Sequence, residues 1–139
     1  MRVRSFVAFR GRRLPRRRLS CLARRVLAGE GRRLDVRIVY APDAMVRDLN
    51  SRYRRLERTT DVLSFNVPGV SGLVPEGGEI YISLPQAQRQ ARRYRHSLTA
   101  ELERLVVHGT LHLIGFDHKR AGDARRMRSR ERRYLGFSE

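Results

Sequence analysis

Three of the four histidines in this 139-residue chain fall within one short run, His108-Gly109-Thr110-Leu111-His112-Leu113-Ile114-Gly115-Phe116-Asp117-His118. His108 and His112 are four residues apart, so on a helix their side chains leave the same face one turn apart. Gly115 is free to adopt the left-handed conformation that ends a helix, after which the chain turns back and presents His118. The spacing therefore demands a helix, a stop and a reversal, and it gathers three neutral imidazoles at one place. Three imidazoles with a fourth position left to water form the open, catalytic kind of zinc site, whereas structural zinc is usually closed by four protein ligands. His108, His112 and His118 are the candidate ligands of one zinc ion or another divalent metal.

The helix that carries this run is expected over residues 97–114, with Ser97 as its cap. Leu98, Leu102, Leu105, Val106, Gly109 and Leu113 make one apolar stripe, and Val107, Leu111 and Ile114 make a second on the far side. Near its C-terminal end the helix is apolar almost all round, which marks a buried element. His108 and His112 lie at the edge of the first stripe, where packed neighbours hold the imidazoles in fixed rotamers. A buried imidazole without a partner is costly, and a bound metal resolves that cost. Asp117, beside His118, is a candidate to orient a ligand, to cap the turn after Gly115, or to act as a general base. His96 is expected at the surface rather than as a fourth ligand.

The pattern His-x-x-x-His-x-x-Gly-x-x-His is shared with metzincin proteases, in which a Glu directly after the first His is the general base. Here that position is Gly109, which has no group to accept a proton, so a zinc protease is a distant alternative. With Gly109 the motif reads H-G-x-L-H-L-x-G-x-D-H, and it resembles that of the YbeY family of bacterial metal-dependent endoribonucleases. Asn50-Ser51-Arg52-Tyr53-Arg54 followed by Thr60-Asp61-Val62-Leu63-Ser64-Phe65 is similar to that family's N-x-x-Y-R and T-D-V-L-S-F segments. Gly78-Glu79-Ile80-Tyr81-Ile82-Ser83 stands where the family usually has G-D-I, with Glu79 in place of Asp. Order and spacing agree from about Asp35 to Phe137.

The resemblance implies a single-strand-specific endoribonuclease acting in ribosomal RNA maturation, at the 3′ end of the small-subunit RNA, and in ribosome quality control. It implies single-stranded rRNA, the small ribosomal subunit and assembly factors as partners, in the cytoplasm. Arg54 becomes the candidate for binding the scissile phosphate and the charge that develops on it. His108 stands beside it as the second catalytic candidate, and Asp61 and Ser64 as cleft or ligand-supporting residues. A ribosome assembly factor with a purely structural metal is the alternative.

Charge agrees with a nucleic-acid partner. The chain has 31 Lys and Arg against 14 Asp and Glu, a net charge of +17, and every basic residue except Lys119 is Arg. Arg presents a planar, bidentate donor fork suited to phosphate. Arg120, Arg125 and Arg126 of the last helix, Arg54 and the N-terminal arginines are expected to grip an RNA backbone with steep salt dependence. No membrane partner is expected, since no apolar run is long enough to span a bilayer and no helix has a strongly apolar face to insert. Cys21 is the only cysteine. It is read as a half-buried thiol in a reducing compartment.

Length suggests one domain over residues 1–139. Alternation predicts strands over 2–9, 34–40 and 80–83, with a short apolar strand over 62–65. Helices are predicted over 14–28 (Leu19, Leu22, Ala23, Val26), from Pro42 onward (Met45, Val46, Leu49), from Ser83 to about Arg95, over 97–114 and over 121–135. Residues 68–78, rich in Gly and Pro, read as a loop. The resulting class is α+β (α/β-like): one mixed sheet of about four strands packed with about five helices, the metal site at the end of a buried helix.

Overall fold

The computed structural model describes residues 1–10, 13–54, 60–117 and 119–136, without the side chain of Arg54. The elements follow in the order β1 (Val3–Val7), α1 (Arg16–Gly29), β2 (Asp35–Ala41), α2 (Asp43–Arg54), β3 (Val62–Val67), β4 (Gly77–Ser83), α3 (Leu84–Arg93), α4 (Leu98–Leu113) and α5 (Ala121–Leu135). The strands form one mixed sheet in the order β1-β2-β4-β3. β1, β2 and β4 run parallel, and β3 is antiparallel to β4 at the edge. The expected α+β class and element count are what forms.

Strand periodicity decides which side chains face which layer. Val36, Ile38 and Tyr40 of β2 and Ile80 and Ile82 of β4 pack against Leu19, Ala23 and Leu27 of α1 and Leu102, Leu105 and Val106 of α4. The alternate positions Val39, Ala41 and Leu63 turn to the other face, where α2 covers them with Val46. α5 closes the helical layer, with Met127 and Tyr134 against Leu22, Val26, Val107 and Leu111. α4 is therefore enclosed by the sheet on one side and by α1 and α5 on the other, which accounts for its two apolar stripes. Leu102, Leu105, Val106, Val107 and Leu111 have no exposed surface. Each such side chain contributes about 1.5–3 kcal/mol relative to exposure, so the end of α4 is a rigid mount.

Three local readings shift. β4 begins at Gly77, so the loop expected to reach residue 78 ends earlier. Glycine reads as a breaker, yet here it permits close approach. A Cβ on Gly78 would lie 2.6 Å from Leu113 Cδ1, and one on Gly77 would lie 2.9 Å from the Asp35 carbonyl oxygen. β3 extends to Val67 and is tied to the end of α4 by the Asn66 amide, which donates to the Leu113 carbonyl at 2.8 Å. Cys21 is exposed rather than half-buried, because Leu19, Leu22, Ala23 and Val26 take the inward face of α1. Ser83 and Ser97 cap α3 and α4 as expected, accepting from the backbone N–H of Gln86 and Ala100. No described helix is long and apolar enough to cross a membrane.

Candidate functional site

α4 stops where the spacing requires. Gly115 has φ +101°. The Phe116 N–H reaches the Leu111 carbonyl at 3.1 Å, and the Gly115 N–H reaches that of His112 at 3.2 Å. These two bonds are the paired closure of a Schellman motif. Asp117 then caps the following turn, its Oδ1 accepting from the Lys119 N–H at 3.1 Å. Of the roles open to Asp117, turn capping is the one with a contact among the described residues.

On the last two turns before this stop, His108 and His112 face each other edge to face, with ring centroids 4.6 Å apart. Their Nε2 atoms are 3.1 Å apart. Two nitrogens bound to one tetrahedral zinc at 2.0–2.1 Å stand about 3.3 Å apart, so the pair already has nearly the separation that a shared ion requires. The His108 side chain is 21 % exposed, shielded yet reachable. His118 lies outside the described residues. Among the described residues, no cluster of three or more His, Cys, Asp or Glu with metal-binding geometry is present.

Between the two imidazoles, Gly109 points into the sheet. A Cβ there would meet Ile80 Cγ2 at 2.8 Å, Ser64 Oγ at 3.2 Å and Val62 Cγ2 at 3.3 Å. Ser64 holds the helix down, its Oγ donating to the Gly109 carbonyl at 2.9 Å. Gly109 thus does more than remove the protease base: a Glu in its place would be driven into β3 and β4. Gly109→Ala is expected to lower stability by about 1–3 kcal/mol through overpacking, because Ile80 is fully buried. A thermal melt reads this, and a melt like that of the wild type would refute the packing role.

Asp61 joins a polar network with Gln90 of α3 and Arg104 of α4. Its Oδ2 is 3.5 Å from Arg104 Nη2 and accepts from Gln90 Nε2 at 3.2 Å. Arg104 donates to both oxygens of Glu101, through Nε at 3.1 Å and Nη2 at 2.6 Å. Glu101 is fully buried, and His96 Nε2 meets its Oε1 at 2.8 Å. His96 is thus the partner of a buried carboxylate, with its side chain partly exposed. Hydrogen bonding to Glu101 raises the Arg104 pKa; burial opposes this, and the charges of Glu101, Asp61 and Glu131 add to it. Sequence reasoning missed this network, whose signal is a Glu-x-x-Arg pair inside an otherwise apolar helix.

A second missed residue is Glu131 on α5. Its Oε1 lies 3.6 Å from His108 Nδ1, and its side chain is 18 % exposed. Met127, Glu131 and Tyr134 share one helical stripe, and the two apolar members are buried against α4 and α1. That spacing was the available signal, obscured by the surrounding arginines.

Arg120, Arg125 and Arg126 are exposed along the first half of α5, with Arg126 paired to Asp123 at 2.5 Å. Arg54 is the last residue of α2, and its side chain lies outside the described residues. Glu79, the departure from G-D-I, bonds Arg37 and Tyr81 at 3.2 Å. It alternates with the inward Ile80, so it faces away from α4.

A family model described as Endoribonuclease YbeY matches residues 11–138. The Endoribonuclease YbeY of Anaeromyxobacter sp. (strain Fw109-5) is 43% identical over 116 residues, which is 83% of this chain and 60% of that protein. The one from Pelotomaculum thermopropionicum is 40% identical over 127 residues, 85% of this chain and 82% of the relative. The match thus spans about 60% of the length of the Anaeromyxobacter relatives. The solution structure of TM1509 from Thermotoga maritima superposes with a TM-score of 0.64 at 24% identity, covering 97% of this chain and 87% of that one. The two share the fold.

Proposed function

The chain belongs to the Endoribonuclease YbeY family, and from that premise we propose that it is a metal-dependent endoribonuclease cutting phosphodiester bonds in single-stranded RNA. The observation that carries this reading is the imidazole pair, Nε2 to Nε2 at 3.1 Å, mounted on a buried helix end. A net charge of +17 supports an RNA partner.

His108, His112 and His118 hold one zinc ion. When bound, such an ion would supply Lewis-acid chemistry to a phosphate oxygen or to water. The protein's own part is to fix the ligands: the Schellman closure and the Ser64 contact keep both rings on one rigid face. Arg54 binds the scissile phosphate. Arg120, Arg125 and Arg126 hold the flanking backbone, each phosphate contact adding to the salt dependence. At the opposite edge of the sheet, Arg16, Arg17 and Arg24 line a groove between β1 and α1 that suits a further stretch of RNA backbone.

The substrate is ribosomal RNA, at the 3′ end of the small-subunit species, with the small subunit and its assembly factors as partners in the cytoplasm. Ribosome quality control is part of the same role. An end-labelled RNA with a duplex stem and a single-stranded tail tests the activity. Cuts are expected in the tail alone, lost with chelator and restored by zinc. Equal cutting in the stem would refute the strand preference, and an intact RNA with a zinc-loaded chain would refute the nuclease reading.

A further inference from the structure

We propose that Glu131 is a positioning residue for the metal centre: its carboxylate holds the His108 imidazole in the tautomer and orientation that aim Nε2 at the ion. This rests on reading the histidine pair as metal ligands. His108 Nε2 faces His112 Nε2 at 3.1 Å, so Nε2 is the nitrogen turned to the shared centre and Nδ1 is the remote one. The Glu131 carboxylate stands against Nδ1, at 3.6 Å.

That spacing is longer than an N–H···O hydrogen bond, and catalytic hydrogen bonds commonly tighten only when the site is loaded. The carboxylate is in place on the correct side of the ring. A histidine ligand whose remote N–H meets a carboxylate is fixed in one tautomer, and its metal-facing nitrogen becomes more basic.

The composition of α5 makes the placement specific. The helix carries six arginines and two acids, and Glu131 is turned inward along the stripe of Met127 and Tyr134. A carboxylate only 18 % exposed needs positive compensation. Arg104, one turn before His108 on α4, supplies positive charge through its field, and the His108 Nδ1–H offers a donor. An ordinary interhelical ion pair could use any of the arginines. This one is aimed at the nitrogen that controls a ligand.

The test uses the full chain with Co2+ in place of zinc. Wild type, Glu131→Gln and Glu131→Ala are compared, with Glu103→Gln as a control whose carboxylate pairs with Arg18 instead. Metal affinity is measured by competition with a chromophoric chelator, the Co2+ absorption band reports ligand geometry, and the metal-free melt reports the fold. Glu131→Ala should bind about 10–100-fold more weakly, with an altered Co2+ band. Glu131→Gln should lose less, since its amide oxygen still accepts from Nδ1–H, and should melt like wild type when metal-free. Wild-type affinity and spectrum in Glu131→Ala overturn the Glu131 assignment and leave the histidine pair as ligands. A wild-type chain that takes up no metal overturns both.

Discussion

His112→Ala is expected to lower RNA cleavage by about a thousandfold, the several kcal/mol that a metal contributes to charge stabilisation, while leaving the fold in place. The fold is expected to survive because His112 sits at the edge of the apolar stripe, and the neighbours that anchor α4 are untouched. Leu105, Val106 and Leu111 remain fully buried, and the helix closure uses backbone groups only. Alanine is also the best helix former. A circular-dichroism melt beside single-turnover cleavage and metal analysis separates this outcome from a structural metal. If the metal only holds the fold, the same substitution abolishes the cooperative melt. Loss of metal and cutting with an intact melt is the expected result.

Arg104→Ala is expected to be the most destabilising surface-accessible substitution in α4. Glu101 has no exposed surface, and Arg104 supplies it with two hydrogen bonds. Removing one partner of a buried pair costs about 3–5 kcal/mol, since a buried charge is left uncompensated. The lower end applies here, because His96 and Gln90 still contact Glu101 at 2.8 and 3.1 Å. That corresponds to a melting temperature lower by about 10 °C. A Glu101→Met/Arg104→Met double variant should lose less than Arg104→Ala, as the buried charge is then gone. Additive losses in a double-mutant cycle would show that the pair carries no coupling.

These two effects differ in how far the sequence announces them. The histidine spacing and Gly115 are local features, and helical geometry converts them directly into a shared face and a stop. The two stripes of α4 foretold burial on both sides, and alternation in residues 36–40 foretold which side chains enter the core. Gly77 and Gly78 misled because a glycine that breaks a strand and one that lets a strand pass under Leu113 read alike. Glu101 and Glu131 were hidden for another reason: each acts on a partner that only tertiary packing brings near. Glu131 meets His108 across two helices, and Glu101 collects Gln90 from α3 and His96 from the link before α4. Arg54 and His118 were reached by spacing and resemblance. Packing places Arg54 at the end of the helix that covers the other face of the sheet, with Tyr53 edge to face against Phe65, ring centroids 5.4 Å apart.

The most direct measurement is cleavage of one end-labelled RNA bearing a single-stranded tail by wild type, by wild type with chelator, and by His108→Ala. Metal-dependent cutting centred on the imidazole pair predicts products with untreated wild type alone. Products in all three reactions contradict it.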